Sequence, residues 1–412
     1  MGVFVYRQPT LSGDGARIEV LDQMRGVALL SIFLCNLVAL SGASATDGTP
    51  GGWMYLLVHI VLGDSSRTLF SFMFGMSMLL IYDSARRRDR QPYWTLLRRM
   101  LTLLLIGSVH LYMIWSGDIL FMYALDGLML LAFLWMSPLL LLSTGIVLLL
   151  LTSSTLQDWT PGLQAWLSER NWLSYDPSSW PFWLLSQLSG SMPSLQQWYE
   201  HPNWFLMMSE WQLAIQHLPF FLFGMYAYRK GIFQQIARFP GRFAIVGAVL
   251  LLVGLAGKIA NSFGYTAPWV STIAQFYPFA YVAVTISAIF CIVWIGYRGG
   301  WASRVLSLFG PIGRMAFSCY LLQSLIYVSV FTATGEGVFG YIGWVDVMPY
   351  GRIFAGSLLF FIAQMIFATY WLKYFKYGPF EWLWRIGTNL EIPSFRRNDR
   401  HSASSAARIQ QQ

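Results

Sequence analysis

Ionisable side chains are scarce in this sequence, so those that interrupt long apolar runs are the first places to look for chemistry. Gly107-Ser108-Val109-His110 closes one apolar run and is followed by Gly117-Asp118. A carboxylate folded against an imidazole orients the ring and raises its basicity, as a general base requires. Spacing leaves the partner open between Asp118 and Asp64. A lone histidine would instead be a hydrogen-bond partner between helices. Asp64 precedes Arg67 in His59-Ile60-Val61-Leu62-Gly63-Asp64-Ser65-Ser66-Arg67, and both are expected near the level of His110. Glu210, His217, Gln323 and Ser324 interrupt later apolar runs.

A second group is Asp22-Gln23-Met24-Arg25-Gly26. Asp22 and Arg25 are three apart, so they share a helix face and can pair. The pair either fixes how its helix enters the membrane or belongs to a site. Arg314, in Gly310-Pro311-Ile312-Gly313-Arg314, is expected at the same level. Two arginines at one depth can receive a phosphate. Motifs of soluble chemistry are absent: no phosphate-cradling glycine loop, no H-E-x-x-H helix and no G-x-S-x-G elbow. Cys35, Cys291 and Cys319 stand singly in apolar blocks and read as buried free thiols, so no metal site is expected.

The elements that carry these residues follow from composition. Of 412 residues, 56% are hydrophobic and 11% charged, and mean hydropathy is +0.51. A soluble chain would carry roughly a quarter charged residues. The expected fold is all-α, a polytopic integral membrane helical bundle of about ten transmembrane helices. The spans are expected near residues 21–41, 67–82, 98–115, 119–136, 138–155, 208–228, 243–260, 270–297, 314–331 and 353–374. Counted from Arg98 at ~1.5 Å per residue, His110 falls roughly 18 Å along its helix, past the midplane. Arg17 and Arg25 before an apolar run imitate a signal peptide, but Glu19 and Asp22 in the supposed basic region argue for a retained first helix.

The net charge of +8 could suggest a nucleic-acid partner. Position argues against one, because the basic residues cluster in short loops, as topology signals do. Arg86, Arg87, Arg88 and Arg90 follow the second span, Arg229, Lys230, Arg238 and Arg242 the sixth, and Arg298 and Arg304 the eighth. The opposite loops carry acids such as Asp47, Asp176 and Asp346. With about ten spans every basic loop falls on one side, which puts both termini in the cytoplasm. Residues 1–16 are then a cytoplasmic segment, 17–388 one membrane domain, and 389–412 a polar cytoplasmic tail, expected to be disordered beyond Glu391. The Trp-rich stretch 156–205 is expected to lie at the outer interface, as is the piece from Trp53 to Leu62.

Several blocks resemble the YeiB-like bacterial membrane family, a domain of unknown function numbered 418. Leu21-Asp22-Gln23-Met24-Arg25-Gly26-Val27-Ala28 resembles its opening, and Thr68-Leu69-Phe70-Ser71-Phe72-Met73-Phe74-Gly75 its next block. Gly107 to His110 with Gly117-Asp118-Ile119-Leu120 and Tyr123-Ala124-Leu125 is similar to a third. Gly313-Arg314-Met315-Ala316, Tyr320-Leu321-Leu322-Gln323-Ser324 and Gly378-Pro379-Phe380-Glu381-Trp382-Leu383-Trp384-Arg385 complete the likeness, which runs from about residue 17 to 388. Asp126 departs from it, and is expected to pack against polar neighbours.

The family looks distantly similar to transmembrane acyltransferases. That resemblance implies transfer of an acyl group from a cytosolic donor of the acyl-CoA type to an extracytoplasmic or membrane-level acceptor. It implies His110 as catalytic centre, with Asp118 as its carboxylate. Asp22, Arg25, Arg314, Arg67, Asp64 and Gln323 are the candidate donor- and substrate-binding residues. No resident cofactor is expected, with acyl-CoA as co-substrate. The expected partners are the lipid bilayer, a small-molecule or glycan acceptor and a further copy of the chain in a homo-oligomer. The expected location is the bacterial cytoplasmic membrane. Two other classes stay open: a small-molecule transporter, in which the polar groups line an alternating-access path, and a non-catalytic membrane partner protein.

Overall fold

A computed structural model describes residues 14–45, 49–115, 117–154, 204–263, 277–331 and 348–397. Among these the chain is helical, with two isolated bridges and no strand. The helices are α1 (Asp14–Cys35), α2 (Leu37–Ser41), α3 (Pro50–Val61), α4 (Gly63–Arg87), α5 (Pro92–Met113), α6 (Leu120–Leu130) and α7 (Pro138–Ser154). After the Trp-rich stretch, which lies outside the described residues except for its last two, come α8 (Trp204–Lys230), α9 (Ile232–Arg238) and α10 (Pro240–Phe263). The remainder are α11 (Tyr277–Arg298), α12 (Trp301–Ser307), α13 (Phe309–Arg314), α14 (Ala316–Val330), α15 (Tyr350–Tyr374) and α16 (Pro379–Asn389).

Each expected span overlaps helix, although 21–41 and 314–331 are each broken into two helices and residues 270–276 lie outside the described residues. Among the described residues, five stretches are long and apolar enough to cross a membrane: Pro50–Arg87, Pro92–Met113, Pro240–Ser262, Tyr277–Arg298 and Tyr350–Tyr374. A sixth joins Trp301–Arg314 to Ala316–Val330 across a 77° bend. The expected interfacial piece from Trp53 is continuous with the second span, within a 38-residue helical stretch. α6, at 11 residues, extends only about 16 Å, too little to cross a hydrocarbon core. α1 carries Glu19, Asp22 and Arg25 among its apolar residues.

Outward faces confirm the solvent these helices are built for. On α10, Ile245 and Leu252 are 71% and 70% exposed, and on α15 Leu359 is 70% exposed. Faces of this kind belong against lipid tails. With lipid outside, helix association depends on close backbone approach more than on apolar burial. At the α4–α8 crossing, a Cβ on Gly75 would sit 2.0 Å from the Phe221 carbonyl oxygen, and one on Gly224 1.9 Å from that of Phe72. Only glycine admits this contact. α4 thereby becomes the element on which α1, α5, α8 and α11 converge.

The tail departs from expectation. Residues through Arg397 are ordered: Lys376 N–H donates to the Phe395 carbonyl (2.9 Å) and Arg397 N–H to that of Tyr374 (2.9 Å). Trp382 Nε1 donates to the Pro393 carbonyl (2.9 Å), and the Phe395 ring lies 4.7 Å from that of Phe375. Ile392, Pro393 and Phe395 supply apolar contacts that the polar composition of the tail as a whole conceals.

Candidate functional site

His110 is in the last turn of α5, and the chain turns back at once into α6. Gly107 allows this tight return, because a Cβ there would sit 2.6 Å from the Phe121 backbone nitrogen. The turn brings Asp118 beneath the imidazole, with Asp118 Oδ1 2.8 Å from His110 Nδ1. That short contact is bent away from a straight hydrogen bond. Asp118 Oδ2 accepts from the Phe121 N–H at 2.6 Å, so the carboxylate also caps the start of α6.

On the far side of the ring, His110 Nε2 is 2.6 Å from Ser324 Oγ on α14. Tyr320, one turn earlier, stacks obliquely 5.4 Å from the imidazole, and its hydroxyl accepts from the Ile119 N–H (3.3 Å). His110, Asp118 and Ser324 are 1%, 4% and 1% exposed. An ionised Asp118 favours the tautomer with the proton on Nδ1. Nε2 faces the Ser324 hydroxyl, whose single proton also has the Tyr320 and Leu321 carbonyl oxygens of its own helix within reach at 3.2 Å. A carboxylate, an imidazole and a hydroxyl stand in relay, in a dry setting where electrostatic effects are strong.

Glu381 fixes the helix that carries Ser324. Its carboxylate accepts from the Ser318 N–H (3.0 Å) and from the Ser318 hydroxyl, near the N-terminus of α14. A negative group there complements the helix dipole. Glu381 lies beyond the spans, and burial pushes its carboxyl up against the opposing pull of the Ser318 donors.

Asp64 does not join His110. It pairs with Arg67 (2.8 Å) and accepts from the Tyr277 hydroxyl (2.8 Å). These groups border a cavity of about 260 Å³ shared by α1, α4 and α10. Lys258, on α10, also lines it and donates to Ser65 Oγ (3.2 Å). The Tyr123 hydroxyl on α6 donates to the Arg67 carbonyl (3.2 Å), tying α6 to the helix that borders the cavity.

The Asp22–Arg25 pair forms at 2.8 Å, and Arg25 also donates to Ser77 Oγ on α4 (2.6 Å). α13 crosses α1 at this point, and Arg314 is within electrostatic reach of Asp22. Arg314 itself is exposed. Instead of opening a straight ninth span, it ends a short helix at the 77° corner. Arg99 stacks 3.5 Å over the Trp384 ring and lies within electrostatic reach of Arg25 and Arg385. Gln323 is not beside His110: its amide donates to the Gln364 side chain (2.8 Å), bridging α14 and α15. Asp126 corrects another expectation. It is fully buried in α6, and neither carboxylate oxygen has a hydrogen-bond partner among the described residues.

Sequence reasoning named Ser324 without a role, quoted Glu381 only as part of a motif, and passed over Lys258 and Tyr277. A lysine within an apolar run was the available signal for Lys258. Nothing local announces the pairing of Ser324 with His110.

Fold and surface define a multi-helix membrane protein with ionisable groups in its interior. Residues 227–391 match a family described as "Protein of unknown function (DUF418)". The chain is 28% identical to the uncharacterized protein YxaH of Bacillus subtilis, over 93% of this chain and 96% of that protein. It is 26% identical to the uncharacterized protein YeiB of Escherichia coli, over 90% of this chain and 95% of that one. A 39.9 kDa protein of Bacillus acidopullulyticus is 24% identical over 92% and 95%. No solved structure matches. The chain belongs to the YeiB-like DUF418 family.

Proposed function

We propose that this protein is a membrane-embedded acyltransferase working from an acyl-CoA donor. The observation that supports the reading is the buried Asp118–His110–Ser324 relay. In the proposed step, the Ser324 hydroxyl rotates off His110 Nε2, and Nε2 takes the proton of an acceptor hydroxyl that replaces it there. The acceptor oxygen bonds to the thioester carbonyl carbon, the carbon–sulfur bond breaks, and His110 returns the proton to the departing thiolate. Asp118 keeps the ring oriented and stabilises the imidazolium between the two transfers. Products are an ester and free CoA thiol.

Arg25, Arg314 and the neighbouring Arg99 form the proposed seat for donor phosphates. The proposed setting is a bacterial cytoplasmic membrane. About ten crossings put both termini inside, by the position of the basic loops. Donor arginines would then face the cytoplasm, and the acceptor would arrive from the other side.

Titration calorimetry of the purified protein with CoA, acetyl-CoA and a long-chain acyl-CoA tests the donor. Arg25→Gln or Arg314→Gln is expected to weaken binding about tenfold, and Arg87→Gln to leave it unchanged. Release of free CoA thiol in proteoliposomes tests the relay. His110→Ala is expected to slow it by about 10²-fold or more while the protein stays folded. If none of the three ligands binds at millimolar concentration, the proposal fails. The 77° break beside Arg314 would then favour transport, since broken helices build transporter sites.

A further inference from the structure

We infer that the cavity between α1, α4 and α10 binds a small, polar organic oxyanion carrying a single negative charge, seated on Lys258 and Arg67. Lys258 is only 1% exposed, and its ammonium donates to a neutral hydroxyl, Ser65 Oγ, at 3.2 Å. Among the described residues no carboxylate lies within 4.0 Å of it. Asp64, the nearest candidate, is already held by Arg67 and Tyr277. A buried cation without a counter-ion is costly in a protein and more so in a membrane. Lysines in such positions are retained where something else supplies the charge.

The cavity provides room for it. Its volume is about 260 Å³, and Lys258, Arg67, Asp64, Asn36 and Asn261 border it. Gly63 contributes to the space, because a Cβ there would sit 3.2 Å from Lys258 Nζ. Charge selects the ligand class. Lys258 and Arg67 carry two positive charges and Asp64 one negative, which leaves one positive charge to match. A monoanion neutralises it, whereas a dianionic phosphate monoester would leave an excess. Besides Ile32, Cys35 and His59, the lining offers asparagine amides and the Ser66, Ser262 and Tyr277 hydroxyls, which suit a ligand bearing its own hydroxyl groups.

None of these residues touches His110, so the inference stands apart from acyl transfer. Two sources share the required chemistry: the carboxylate of a soluble hydroxy acid, and the phosphodiester of a lipid headgroup.

The test uses full-length protein in neutral detergent, free of anionic lipid. Gluconate, glucose and glycerophosphoglycerol serve as probes, followed by titration calorimetry and thermal unfolding. Saturable binding of gluconate or glycerophosphoglycerol, but not of glucose, is expected, and the preferred probe identifies the source. Lys258→Met is expected to weaken that binding about tenfold or more. Asn261→Asp, which keeps the lysine but adds a negative charge to the cavity wall, is expected to weaken it as well. It decides the matter should Lys258→Met fail to fold. Absence of binding by both anions, equal binding of glucose, or undiminished affinity in the Asn261→Asp protein would overturn the inference.

Discussion

The His110 relay and the Lys258 cavity are linked through the Tyr123–Arg67 hydrogen bond between α6 and α4, yet they treat polar groups in opposite ways. In the relay every named group meets a neighbour: Asp118 faces His110 and the Phe121 N–H, and His110 faces Ser324. In the cavity, Lys258 has a neutral acceptor, Ser65, and no carboxylate within 4.0 Å among the described residues. Polar groups in mutual contact hold one another in a defined geometry, which is what proton transfer needs. Unsaturated groups keep capacity for a ligand, at a cost to the empty protein. Stability and affinity should therefore respond in opposite directions at the two places.

Removing a partner from the relay should have the largest effect. Asp118→Ala leaves His110 Nδ1 and the Phe121 N–H without their carboxylate, and is expected to cost about 3–5 kcal/mol. Thermal unfolding in detergent would show it as a large fall in midpoint. An unchanged midpoint would mean that the relay contacts do not hold the fold. At the cavity the sign reverses. Lys258→Met removes a buried charge and should stabilise the ligand-free protein by about 1–3 kcal/mol in the same assay. Destabilisation there would show that the Ser65 contact, rather than ligand binding, is the purpose of the lysine. Ser324→Ala should cost about 1 kcal/mol, since His110 keeps Asp118 and loses one neutral partner.

A pH experiment examines the support of the relay. Burial raises the Glu381 carboxyl in the folded protein. A raised carboxylate stabilises the fold fully below its unfolded value, and that contribution is lost as pH rises through the folded value. Glu381→Gln should therefore flatten the decline in unfolding midpoint on going from acid to neutral pH. If the slope persists, another group is responsible. The smallest effect belongs to Arg87→Gln, in the solvated loop end of α4. It is expected to shift stability by no more than about 0.5 kcal/mol.

The sequence by itself determined the class of the molecule, because apolar runs near twenty residues and a shortage of charge leave few alternatives to membrane helices. It also pointed to one local ion pair, Asp22 with Arg25; the Asp64–Arg67 pair, at the same spacing, was left unread. Asp22 with Arg25 and Asp64 with Arg67 are three apart, and helix geometry places such residues on one face whatever surrounds them. The partner of His110 was narrowed to Asp118 or Asp64. The choice depended on how sharply the chain turned after α5, hence on the fit of Gly107 against α6. Ser324 is 214 residues from His110, and Gln323 points instead to Gln364 on α15. One residue of difference on α14 separates the relay from a helix-to-helix bridge, and only the rotation of that helix in the bundle settles which residue does which. The cavity is likewise tertiary. Lys258 is visible in the sequence as a charge in an apolar run, but a helix repeat cannot say that α10 lays it against Ser65 on α4. Periodicity orders residues around one axis, while packing between axes decides which faces meet.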